Sequence, residues 1–135
     1  PMSRAKPLLI AILLILPLSA ITALHGQTMW SDEAAVAMEL ESGEHFLFVS
    51  DSDLGMHWLY TFYGPLDAEE KNITGHWRSD QASWIDDLAS NLSQIETIVL
   101  APEITDNPPG WSESASGEVD LLNGGGQWRV LVRDE

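Results

Sequence analysis

Residues 7–24 form an unbroken uncharged run, almost wholly aliphatic, preceded by Arg4 and Lys6 and followed by short segments in which apolar and polar residues alternate. A basic start, an apolar stretch and small residues at its end are the three parts of a secretory signal. Pro17 falls late in the run, and Ile21 and Ala23 offer a cleavage pair that would leave Leu24 as the first mature residue. As a helix, about 18 residues reach roughly 27 Å, close to the hydrocarbon core of about 30 Å, so the same run also serves as an uncleaved anchor. Arg4 and Lys6 would then hold the N-terminus in the cytoplasm. Residues 1–24 are therefore expected to be a signal peptide or signal-anchor helix, and residues 25–135 a single acidic extracytoplasmic domain.

Within the domain, Val36, Met38 and Leu40 alternate with Ala37, Glu39 and Glu41, which favours a strand over residues 33–42; Ser31 and Gly43 as caps would instead allow a helix. Ser42 and Gly43 make a tight turn into the apolar β run Phe46, Leu47, Phe48 and Val49. Met56, Trp58, Tyr60 and Phe62 fall on one side of a predicted strand that ends at Gly64 and Pro65. An antiparallel return over residues 73–77, with Phe62 opposite Ile73, would set Trp58 beside Trp77. A helix is predicted from Ser79 or Asp80 to about Glu96, because Trp84, Ile85, Leu88, Leu92 and Ile95 recur at helical spacing. Residues 97–101 read as a buried strand closed by Pro102, making the helix a crossover of a β-α-β unit. Residues 103–117 read as loop. A C-terminal hairpin pairs residues 119–122 with 127–133 through the turn at Gly124, Gly125 and Gly126. The expected class is α+β: about six short strands, mostly antiparallel, with one amphipathic helix on a face and an apolar helix ahead of them.

Charge narrows the partners. All twenty-one acidic residues lie beyond residue 30, and Lys71, Arg78, Arg129 and Arg133 are the basic residues of 25–135, leaving a formal charge of −17 there. Such a surface repels phosphate, which excludes nucleic-acid binding and disfavours anionic lipid headgroups. Acidity of this kind suits a salty environment, where the Debye length falls to roughly 3 Å at 1 M and self-repulsion is screened; a cationic partner is the other explanation. There is no cysteine, so thiol chemistry and disulfides are excluded and the fold must be held by its core, an anchor, an ion or a partner.

Few residues suggest chemistry. Asp51, Asp53 and Gly55 resemble the opening of a calcium loop, but Gly55 stands where another oxygen ligand is needed and Phe62 where the bidentate acid belongs. His57 and His76 each precede a tryptophan and, in the antiparallel register above, would be diagonal neighbours able to share a zinc or copper ion; no third ligand is placed. His45 is expected as an exposed hairpin residue. No nucleophile elbow or phosphate loop occurs, and no cofactor is indicated. Asn72 begins a glycosylation sequon with Thr74, and Asn91 another with Ser93. Trp58, Tyr60, Trp77, Trp111 and Trp128 exceed what one side of a small core needs and are candidates for a partner-binding aromatic surface.

Together these features point away from an enzyme and toward an exported, membrane-anchored or secreted binding or accessory domain, such as a subunit docking on an envelope or membrane assembly, with the membrane contacted through residues 7–24 when the leader is retained. A pilin-like filament subunit, which also joins an apolar N-terminal helix to a β-rich head, is a second expectation, weakened by Pro17. A small secreted enzyme or metal-binding protein using His57 and His76 is the third.

Overall fold

The structure is a computed structural model and describes residues 30–80 and 83–135. The apolar run at 7–24, the possible anchor, lies outside them. No helix among the described residues is long and apolar enough to cross a membrane.

The fold is α+β, built on a five-stranded mixed sheet in the order β2-β1-β3-β5-β4. The first helix, α1, occupies residues 30–38. Trp30, Ser31, Ala34, Ala35 and Met38 are buried at the spacing of one helical face, while Val36, at 73% exposure, points outward. The strand reading of 33–42 is thus corrected: the alternation of Val36, Met38 and Leu40 does not coincide with burial. Glu39, with φ of 50°, leaves the helix through a left-handed residue. A turn at Ser42 and Gly43 then feeds β1 (His45–Val49). Phe46, Leu47, Phe48 and Val49 are all buried, as expected of a central strand covered on both faces.

Strand β2 (Thr74–Arg78) runs parallel to β1 on one side, and β3 (Ile95–Leu100) runs parallel to it on the other. Strand β5 (Gln127–Arg133) is antiparallel to β3, and β4 (Trp111–Glu118) closes the far edge against β5. In place of the expected six strands, mostly antiparallel, the described residues form five, with two parallel and two antiparallel pairings.

Between β1 and β2 the chain forms α2 (Gly55–Leu59), a 3₁₀ turn (Tyr60–Phe62) and α3 (Ala68–Lys71). The predicted strand at 56–62 is helical because its buried members, Leu59 and Phe62, are three residues apart, while Met56 and Tyr60 are exposed. Phe62 packs on Phe48 and Phe46 at ring distances of 5.1 and 5.8 Å, and Trp30 reaches the same cluster. These elements cover the Phe46–Phe48 face of the sheet. The register placing Phe62 against Ile73 does not form; Phe48 lies opposite Trp77 in a parallel pair.

The helix expected from 80 to 96 is the short α4 (Trp84–Ser90), and Ile95 already belongs to β3. It covers the opposite face: Asp87 pairs with Arg78 at 3.0 Å, and Ile85 and Leu88 share a groove with Trp111 and Arg133. The segment read as loop after residue 103 contains β4, which supplies the first arm of the C-terminal hairpin in place of 119–122.

The connection from β1 to β2 passes over one face and that from β2 to β3 over the other. The segment after β3 also stays on the α4 face, where Arg129 donates to the carbonyls of Ile104 and Asp106 at 3.0 and 3.1 Å. Adjacent strands β1 and β3 thus send their chains to opposite faces.

Candidate functional site

An open sheet in which neighbouring parallel strands diverge to opposite faces leaves a crevice beyond their carboxyl ends. That crevice is present here. It encloses about 490 Å³, with Phe48 and Ser50 at its base, Trp30 and Trp58 in its walls, Asp51 and Glu103 on one rim, and Gly124, Gly125 and Gly126 beside Pro102 on the other.

Its base is fixed by an interaction across the sheet. Ser50, the first residue beyond β1, is buried, and its Oγ accepts from Trp77 Nε1 at 3.2 Å. Helix α2 begins on top of this pair: a Cβ at Gly55 would lie 1.9 Å from Trp77 Nε1 and 2.5 Å from Ser50 Oγ. The turn into α2 is held by Ser52, which accepts from Leu54 N–H through Oγ and from Gly55 N–H through its carbonyl, at 3.1 and 2.9 Å. Asp51 N–H donates to Glu103 Oε1 at 3.2 Å, joining the exit of β1 to that of β3. Opposite, Gly124, Gly125 and Gly126 have φ of 104°, 67° and 86°, all in the region favouring glycine, and a Cβ at Gly126 would come within 2.9 Å of Pro102 Cβ.

Glu103 sits at the exposed rim, yet the protein around its carboxylate withholds enough water to push its pKa up, and the neighbouring Asp51 adds to the shift. The same edge carries exposed apolar side chains. Leu54 projects from the loop after β1 and Met56 from the start of α2, and Leu121 and Leu122, at 92% and 87% exposure, from the loop between β4 and β5.

His57 lies exposed on α2 while His76 is on β2, so these residues are not neighbours on a sheet face. The parallel register instead makes His76 a diagonal neighbour of His45, which belongs to β1 rather than to an exposed hairpin. Their Nδ1 and Nε2 atoms are 3.0 Å apart with rings inclined by 23°. One nitrogen donates to the other, in a direction set by the tautomers. Partial burial, then His45, then Arg78, lower the His76 pKa. Among the described residues no three His, Cys, Asp or Glu side chains gather as a metal site.

The aromatic candidates divide. Trp58 lines the cleft, and Trp77 supports its base. Tyr60 is exposed on the 3₁₀ turn, edge-on to Tyr63 at 5.2 Å. Trp111 lies on the α4 face beneath the Arg133 guanidinium, 4.6 Å from its ring centroid. Trp128 is buried over Gly117, and its indole N–H has no acceptor among the described residues. Asn72 is exposed with φ of 56° at the end of α3, and Thr74 of its sequon is exposed at the start of β2.

Sequence reasoning missed Trp30, Ser50 and Glu103 as cleft residues and read the three glycines only as a turn. The usable signal was the divergence of two parallel strands followed by a run of glycines, which requires the strand order to be known. No protein-family model matches the chain, and neither a curated protein nor a solved structure does.

Proposed function

We propose that the protein is an exported, membrane-tethered binding domain, an accessory subunit of an envelope or membrane assembly, that engages its partner through the cleft beyond β1 and β3. The observation that carries this reading is that Trp30, where the described chain begins, is itself part of the cleft wall. Five residues lie between Leu24, the end of the apolar run, and Trp30, six steps of chain. Even fully extended they span about 20 Å, so a retained anchor would hold the cleft close to the bilayer surface, facing whatever else resides there.

Binding is favoured over catalysis by the groups in the cleft. Ser50 Oγ is engaged by Trp77 and Ser52 Oγ by Leu54 N–H, and among the described residues no histidine lines the cavity to serve either as a base. What the cleft offers is shape, carboxylates, tryptophan and an apolar rim, which are the elements of recognition.

The test is purification of the native chain from its own membranes in mild detergent, with its N-terminus read by intact mass and photo-crosslinkers placed at Leu122 on the cleft edge and at Glu41 on the opposite edge. A retained leader and a stoichiometric partner captured from position 122 but not from 41 would support the proposal. A chain beginning near Leu24, alone in the soluble exported fraction, would reject it.

A further inference from the structure

We infer that the cleft edge is shaped for a basic polypeptide segment carrying large apolar side chains, a cationic amphipathic stretch of a partner protein. This rests on the cleft being a protein-binding site and adds the chemistry of what fills it.

The rim interleaves two kinds of group. Asp51, Asp53 and Glu103 supply carboxylates, and Leu54 and Met56, from the exit of β1 and the start of α2, and Leu121 and Leu122, from the loop between β4 and β5, stand along the same edge. Six large apolar side chains of the described domain are conspicuously exposed, and four of them are these; scatter over the surface would not collect them on one edge. The leucines are held out rather than collapsed. Their loop is closed by Val119 N–H to Gly126 O and Gly125 N–H to Asp120 O, at 2.9 and 2.8 Å, and it is seated on Pro102 through Gly126. The cavity between the two loops, about 490 Å³, has room for an anchoring side chain.

Each simpler occupant leaves something uncompensated. An apolar segment without charge would strip water from the carboxylates and give them no partner, which is costly. A polar cation would pair with the acids and leave the leucines wet. An anionic surface is repelled by a domain of charge −17. A basic segment with apolar side chains satisfies both sets of groups, pairing the carboxylates and removing the Leu and Met side chains from water.

The experiment uses the full chain in nanodiscs of zwitterionic lipid, with empty nanodiscs as blank and three fluorescent hexapeptide amides as probes: alternating Lys and Leu, alternating Lys and Ser, and alternating Glu and Leu. The Lys/Leu peptide should bind at least about tenfold more tightly than either other peptide. The double variants Leu121→Ser with Leu122→Ser, and Asp51→Asn with Glu103→Gln, should each weaken it by a similar factor, while Glu69→Gln with Glu70→Gln on α3 should not; thermal melts establish that each variant is folded. Equal binding of the Lys/Ser peptide, or equal weakening by the α3 variant, would reduce the effect to diffuse charge and overturn the inference. Preference for the Glu/Leu peptide, still dependent on Leu121 and Leu122, would keep the cleft as a binding site and reject the cationic partner. No binding above the blank also overturns the inference, and the crosslinking result from position 122 then decides separately whether the cleft binds protein at all.

Discussion

Trp77 on β2 donates its indole N–H to Ser50 Oγ at 3.2 Å, across the edge of the sheet and 27 residues of sequence. The bond couples the edge strand to the base of the cleft, and Gly55 is the residue whose lack of a side chain leaves room for it. Gly55→Ala forces a methyl group into the pair and should destabilise the fold by about 1–3 kcal/mol, the usual cost of overpacking. Gly64→Ala is the control, since a Cβ there meets nothing within 4 Å. Urea midpoints of the two variants check the difference; equal midpoints would mean that Trp77 moves aside freely and that the cleft base is soft.

Arg133 joins the end of β5 to the segment ahead of β3. Its Nε donates to Ile95 O at 3.0 Å and its Nη2 to Ser93 O at 3.1 Å, with the guanidinium stacked on Trp111. Lysine keeps the charge but cannot make both bonds while lying flat on the ring. Arg133→Lys should cost about 1–2 kcal/mol and shift the tryptophan emission, both readable in one fluorescence-monitored denaturation. An unchanged midpoint would reduce the contact to a surface pairing.

The histidine pair sets a pH dependence. His76 in the folded chain titrates below its ordinary value of 6.5, through burial, His45 and Arg78 in that order. As pH falls, the unfolded chain therefore takes up this proton first, and stability is lost from about pH 6.5 downward until the folded imidazole is protonated too. His76→Gln should flatten this part of the stability–pH curve, leaving the two curves parallel above it. Parallel curves throughout would show that the pair does not titrate with folding.

Glu103 works in the opposite direction. Its pKa is raised above the ordinary 4.5, first by burial and then by Asp51, so the folded chain holds the proton longer than the unfolded one. Its contribution is favourable at low pH and is lost as pH rises through the folded pKa. Glu103→Gln should therefore raise the melting temperature at neutral pH, with the advantage shrinking as pH falls through the raised folded value and gone once it drops below the ordinary 4.5. A lower melting temperature at neutral pH would show that the Asp51 N–H bond outweighs the charge.

Much of the core could be read from sequence, and the errors have physical causes. The run from Phe46 to Val49 is a strand as expected, and its lack of alternation already marks a strand covered on both faces. The turn residues at 42–43 and 124–126 also lie where the chain reverses. Residues 56–62 misled because Met56 and Tyr60 are apolar yet exposed: the alternation was that of a surface, and burial follows Leu59 and Phe62. Residues 111–118 were missed for the reverse reason, since an edge strand with Ser112, Glu113, Ser114 and Ser116 in water has no continuous apolar face. The cleft was the least legible feature. It depends on β1 lying between β2 and β3, and no local spacing encodes that order. His76 found His45 rather than His57 for the same reason: parallel pairing joins residues that a hairpin register would keep apart.

Among the described residues no strand pairs with the outer side of β4, and such an edge row of backbone hydrogen-bonding groups is a template on which a second chain could add. Here it is fringed by Glu113 and Glu118 amid serines. Two copies approaching edge to edge would bring carboxylate against carboxylate with little apolar surface in return. The edge is thereby guarded by charge rather than by cover, and a chain carrying Glu113→Gln with Glu118→Gln would offer the same backbone template without that guard.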